Sequence, residues 1–251
     1  MMTLRHRAHY RHPILLALLL LLLAGCGSRQ PNLATLSPDD LYAQAVTAYE
    51  NGNWDPAISM LEYFIAQNLG DTRAPDARMM LADAHMTKRD YATAATHFQR
   101  LVIDYPTHPR ALEARYRTCE AYDLLSPRPA LDQEYTVSAL LHCESVAENF
   151  AGTTEGDQAQ AKVDALRVKL ATKIYENGVF YFRRRAFDSA VVYFEAVLDQ
   201  YGDTPLAPAA LEQLVETYTR LGYVEDAEEA EQRLLDQYPQ SDEAQALRAS
   251  L

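Results

Sequence analysis

Residues able to do chemistry are few in this chain, and their arrangement points away from catalysis. The 251 residues include three cysteines and seven histidines. There is no glycine-rich phosphate loop, no His-Glu-x-x-His and no Cys-x-x-Cys. Beyond residue 25 the histidines are His85, His97, His108 and His142. His142 beside Cys143 is the one pair that hints at a metal, and two donors fall short of the three or four a site requires. His85 falls where a large core residue is expected. The acidic run "EDAEEAE" (225–231) reads as a solvated helix face. No catalytic residue, no cofactor and no metal site is expected, and the chain reads as a binding protein.

Cys26 is the exception, because its position gives its thiol a specific use. It follows the apolar run from Ile14 to Gly25, which is preceded by Arg5, Arg7 and Arg11 and by no acid. A membrane-spanning helix needs about 20 apolar residues, so this shorter run has the anatomy of a secretory signal peptide. Leu23-Ala24-Gly25-Cys26 resembles a bacterial lipobox, and that resemblance implies cleavage before Cys26 and lipidation of its sulfur. Each buried acyl methylene contributes about 0.8 kcal/mol, so several chains on one residue hold a soluble domain on a membrane. An ordinary signal peptide and an uncleaved anchor are the competing readings. Residues 1–25 are thus expected to be the signal and 26–37 the lipidated N-terminus and a polar, proline-broken tether. Gly27 and Ser28, in place of an aspartate after the cysteine, resemble the sorting pattern that sends such proteins to the outer membrane, facing the periplasm.

The sequence carries 35 acidic against 23 basic residues, a net charge of −12. Removing the leader strips three arginines and no acid. Such a balance excludes nucleic acid and anionic lipid as main partners, leaving the lipid anchor as the membrane contact.

Self-similarity then organises the rest. "GNWDPAISMLEYFIAQN", "KRDYATAATHFQRLVIDYP", "RRAFDSAVVYFEAVLDQYG" and "GYVEDAEEAEQRLLDQYP" share a large residue, an alanine three later and a stop fourteen after the start. The triples are Trp54/Ala57/Asn68, Tyr91/Ala94/Tyr105, Phe187/Ala190/Tyr201 and Val224/Ala227/Tyr238, with a weaker copy at Thr136/Ala139/Phe150. This resembles the tetratricopeptide repeat, a helix-turn-helix unit of 34 residues, although the spacing here is longer and less even. The fold class expected is all-α, a superhelix of about five such repeats. Ala45, Ala82, Cys119, Gly178 and Val215 are the expected small positions of the first helices, facing Ala57, Ala94, Ala139, Ala190 and Ala227.

A superhelix exposes a concave face. Its expected lining is Tyr42, Val46, Tyr49, Met79, Met86 and Tyr116, an apolar and aromatic surface suited to peptide segments; packing between helices is the other reading of these side chains. Arg183, Arg184 and Arg185 fall at the turn of the fourth unit, where guanidinium forks suit a partner's carboxylate or simply solvate a turn. Cys119 and Cys143 both face the seam of the third unit, either bridged or as two buried thiols.

The order of lipobox, tether, "LYAQAVTAYENGNWDPAISMLE", the lengthened third turn "LSPRPALDQEYTVSA" and a long helix containing "RVKLA" resembles the BamD family of outer-membrane lipoproteins. Gly202 departs from the proline usual at "YGDT". The resemblance implies a scaffold of the β-barrel assembly machinery. Its partners would be a barrel-forming (BamA-like) subunit, other assembly lipoproteins and segments of unfolded outer-membrane proteins. The N-terminal repeats (38–150) would hold the peptide groove and residues 151–251 would form the docking half, including Arg183 to Arg185. A tetratricopeptide lipoprotein of another envelope machine, a type IV pilus pilotin or a cell-wall accessory protein, is the alternative.

Cys26→Ser is expected to abolish metabolic labelling with palmitate and move the chain from the membrane to the soluble envelope fraction. Retained labelling would place the lipid elsewhere.

Overall fold

The computed structural model describes residues 32–250. After a single 3-10 turn at Leu33–Thr35, eleven α-helices and no strand occur among the described residues. They pair as α1 (Pro38–Glu50) with α2 (Trp54–Gln67), α3 (Ala74–Thr87) with α4 (Tyr91–Asp104) and α5 (Ala111–Leu125) with α6 (Glu134–Asn149). Then come α7 (Thr154–Arg183) with α8 (Phe187–Tyr201), α9 (Leu206–Leu221) with α10 (Val224–Gln237), and a closing α11 (Asp242–Ser250). Each helix packs on its sequence neighbours, and first helices also touch the next first helix, α5 on α7 and α7 on α9. The fold is a superhelix of five tetratricopeptide-like repeats.

One turn recurs inside four of the five pairs. The residue two before each second helix has a left-handed backbone: Gly52 (φ 71°), Arg89 (61°), Arg185 (59°) and Gly222 (80°). The next amide then closes back on the carbonyl five residues earlier, Asn53 to Ala48, Asp90 to His85, Ala186 to Tyr181 and Tyr223 to Tyr218, at 2.9–3.1 Å. This satisfies carbonyls that a helix end otherwise leaves unpaired. At the other joint, Tyr105 donates its hydroxyl to the Leu69 carbonyl at 3.1 Å, and Tyr238 to that of Gly202 at 2.7 Å, the same contact in two repeats. Ser37 caps α1, accepting from the Asp40 amide at 3.1 Å, and Thr153 caps α7 by accepting from Gly156, as N-cap hydroxyls do.

The small positions are where close helix approach is visible. Ala45, Ala82, Cys119, Ala57, Ala94, Ala139 and Ala190 are all fully buried. Gly178 differs in what it faces. A Cβ built there would stand 2.5 Å from Phe194 Cε1 and 2.7 Å from its Cδ1, so the glycine makes room for a buried ring. In the last repeat Leu214 turns inward and Val215 is only half-buried. The third repeat lacks the tight turn. Its 126–133 segment is held instead by α7, through Lys169 on the Ser126 hydroxyl at 2.7 Å and Lys173 on the Ala130 and Leu131 carbonyls.

The core is distributed along the array, as expected of a solenoid. One cluster gathers Phe64, Leu61 and Leu81, the next Met79, Phe98 and Leu101, the next Cys119, Cys143, Val146 and Leu166, and the last Phe194, Leu211, Leu214 and Leu234. Val163 and Leu166 of α7 belong to the third cluster while Tyr175 and Val179 of α7 pack on the last. That helix is about 45 Å long at 1.5 Å per residue, so it belongs to both halves of the chain.

Gly178→Ala is expected to lower stability by about 1–3 kcal/mol through overpacking against Phe194, despite alanine's better helix propensity. The urea midpoint measures this, and an unchanged or higher midpoint would mean that the ring yields freely.

Candidate functional site

The expected lining residues come from the first helices of repeats one to three, and the structure treats them unequally. Met79 is a correction. It is completely buried with Ala82, Phe98 and Ala114, because α3 turns that side of its helix towards α4. Tyr42, Val46, Tyr49, Met86 and Tyr116 are half-buried. Tyr42 leans on Phe64 with ring centroids 5.1 Å apart, and the Arg73 guanidinium lies 5.0 Å over its ring. Tyr49 meets Trp54 edge-on at 5.6 Å. Burial pushes the phenol pKa of Tyr42, Tyr49 and Tyr116 upward. These tyrosines therefore act as neutral, rigid surfaces.

The same face is more polar than an apolar lining. Asp83 on α3 lies 3.0 Å from Arg117 of α5 and 4.0 Å from Arg110, the residue just before that helix. Arg110 in turn holds Glu113 at 2.8 Å, and Arg117 is also paired with Glu120. Arg73 bridges Asp71 at 2.7 Å and Asp39 at 2.9 Å. Tyr49 sits in the fields of Asp83, Arg110, Arg117 and Glu113. Burial outweighs the arginines at Asp83 and raises its carboxyl pKa. A readable signal for this network existed: Tyr42/Tyr49, Asp76/Asp83 and Arg110/Arg117 are each seven apart, two helical turns on one face. The result is two tyrosines on α1, two aspartates on α3 and two arginines at the cap and middle of α5, the first helices of three successive repeats.

A second surface lies at the corner between α7 and α8. Arg183, Arg184 and Arg185 are all exposed. None of them has a carboxylate within 4 Å among the described residues. The Arg184 guanidinium stands 4.5 Å over the ring of Phe180, itself 49% exposed. Tyr175, Glu176, Val179 and Phe180 line a shallow concavity with Arg183 and Arg184 at its rim. Aromatic surface and free guanidinium groups thus occur together on an otherwise acidic protein.

Cys119 and Cys143 form a disulfide with Cα atoms 4.9 Å apart, both residues fully buried. His142 is turned away from metal ligation. Its ring stacks on Tyr122 at 5.1 Å, and its Nε2 lies 3.0 Å from the Gln99 side-chain nitrogen. Cys26 lies outside the described residues.

The model of the YfiO family, described as an outer membrane lipoprotein, matches residues 35–234. An "Outer membrane protein assembly factor BamD" of Vibrio cholerae is 27% identical over 225 residues, 86% of this chain and 93% of that protein. The protein of the same title in Caulobacter vibrioides is 27% identical over 187 residues, covering 74% of this chain, which spans only 61% of that relative. Among solved structures, the TPR domain of P58(IPK) overlays with a TM-score of 0.45 at 15% identity, covering 82% of this chain and 53% of that one.

The double substitution Cys119→Ala/Cys143→Ala is expected to cost about 3 kcal/mol by the chain-entropy argument for a loop of this length. Reductant should lower the urea midpoint of the native chain to the same level and leave the double variant unmoved. Insensitivity of the native chain to reductant would mean the bridge contributes nothing to stability.

Proposed function

The chain belongs to the YfiO family of outer membrane lipoproteins, and from that premise we propose that it is a non-catalytic assembly factor for outer-membrane β-barrel proteins. The observation that carries this reading is the extent of the family match, which runs from the first turn into the second helix of the fifth repeat. Cys26 anchors the chain by its acyl groups, and residues 26–37 hold the repeats on the periplasmic side.

Each surface then has a role set by its chemistry. The face built from Tyr42, Val46, Tyr49, Met86 and Tyr116 receives segments of unfolded barrel proteins. Rigid tyrosines offer large contact area at little entropic cost, and the paired aspartates and arginines beside them can exchange partners with the backbone or termini of an extended peptide. The corner at Arg183, Arg184 and Arg185 docks a barrel-forming subunit or another assembly lipoprotein. There the guanidinium groups meet carboxylates bidentately and Phe180 supplies the aromatic anchor that interfaces favour. Neither role needs a bond to be made or broken.

A pull-down from detergent-solubilised envelopes with the lipidated chain tests the docking role. It is expected to recover a barrel-forming subunit. Recovery should fall roughly tenfold or more for Arg183→Glu/Arg184→Glu, the effect of losing about 1.4 kcal/mol or more of binding free energy. Capture of pilus or cell-wall proteins without a barrel subunit would overturn the reading. Unchanged recovery by the charge-reversed variant would move the docking site elsewhere on the array.

A further inference from the structure

We propose that Glu62, His85 and His97 form a binding site for a divalent transition-metal ion of the zinc class, which staples the first repeat to the second. The three residues come from three helices, α2, α3 and α4, and one donor atom from each lies within 4.8 Å of the other two. The imidazoles of His85 and His97 stack with centroids 5.5 Å apart. His85 is 9% exposed and His97 half-buried.

What points to a ligand is the hydrogen-bond accounting. His85 Nε2 and His97 Nδ1 are buried and have no hydrogen-bond partner among the described residues. Buried polar nitrogens are nearly always paired, so two orphans on facing rings call for a specific cause. At His85 the other nitrogen is engaged: Nδ1 lies 3.0 Å from Asp90 Oδ2. A carboxylate acceptor there holds the proton on Nδ1 and leaves the lone pair on Nε2, the arrangement by which proteins orient a metal-ligating histidine.

Charge and access agree with a dication. Glu62 and Asp90 supply two negative charges, and Glu62 is exposed, giving the ion a route from solvent and room for a water in the fourth position of an open site. Arg78 is the opposing cation nearby, and it is drawn towards Asp104 at 3.3 Å. Burial, with His85 and Arg78 adding to it, pushes the His97 pKa down to about 4. Burial thus disfavours the protonated ring, the form that cannot bind a metal. Two imidazoles and one carboxylate suit zinc and its first-row neighbours better than calcium or magnesium, which prefer oxygen alone. Bonds of about 2.0–2.2 Å require the three donors to close by roughly an ångström, through rotation of the exposed Glu62 side chain and a small tilt of the two imidazoles towards each other.

Such an ion would fix α2 against α3 and α4. Its binding would thereby set the angle between the first two repeats.

Untagged full-length chain in detergent, stripped with chelator and titrated with Co²⁺, is expected to develop the visible absorption of a tetrahedral site at one ion per chain. Zn²⁺ should displace the band and raise the melting temperature by several degrees, since a ligand bound to the native state alone stabilises it. Glu62→Gln alters an exposed side chain and leaves the fold intact. It should weaken binding tenfold or more, as should His97→Gln. Absence of both the cobalt band and the thermal shift would overturn the site. So would undiminished affinity in Glu62→Gln, because the ion would then be held elsewhere.

Discussion

The close approach of the two helices within each repeat is the constraint on which the rest depends. A helix pair can bury a ring as large as Phe64, Phe98 or Phe194 only if its neighbours at the crossing are small, and Ala57, Ala94 and Ala190 meet that demand by being fully buried. Gly178 shows the limit, because even a methyl group would collide with Phe194 there. Interiors at close-packed density do not yield such space without strain elsewhere. From this spacing follow the tight left-handed turn, the angle at which each pair meets the next, and the faces left over for binding.

That constraint explains how much of the fold was legible. The second helices begin at Trp54, Tyr91, Phe187 and Val224, as the repeated large residue and alanine indicate. The weak copy begins at Glu134, two residues before Thr136. Where the turn was of standard length, periodicity and turn chemistry coincided. Where it was lengthened, at residues 126–133, no local signal set the helix start, because the loop is fixed by distant lysines of α7. Sequence also left the cysteines open between two states. Their Cα separation depends on the crossing geometry of α5 and α6, a tertiary quantity.

Side chains on the concave face were harder to read, for a different reason. Helical spacing tells which residues share a side of their own helix, and it is silent on how that helix is rotated within the array. Met79 and Met86 are seven apart, yet Met79 is in the core and Met86 at its edge. The charged network around Asp83 is present in the sequence only as seven-residue spacings, which do not say that the three helices bring those charges together. By repeat position His85 stands in for a large core side chain. Only its placement against His97 and Glu62 shows that its nitrogen lacks a partner.

The turns separate what the fold requires from what it tolerates. Four equivalent residues adopt the left-handed conformation, and two of them are glycine, which adopts it freely. Arg89 and Arg185 do so at a cost of about 1–2 kcal/mol each relative to an ordinary backbone conformation. Stability alone would place glycine at residue 185, as at Gly52 and Gly222. Arginine there adds a third cation beside Arg183 and Arg184, next to an exposed phenylalanine, on a chain with an excess of acids. Among the described residues none of the three has a carboxylate within 4 Å. Arg89 shows that the turn tolerates arginine without any such cluster, so the strain at Arg185 does not itself mark a site. What sets this corner apart is three exposed guanidinium groups beside an exposed ring, the chemistry that the proposed docking role requires.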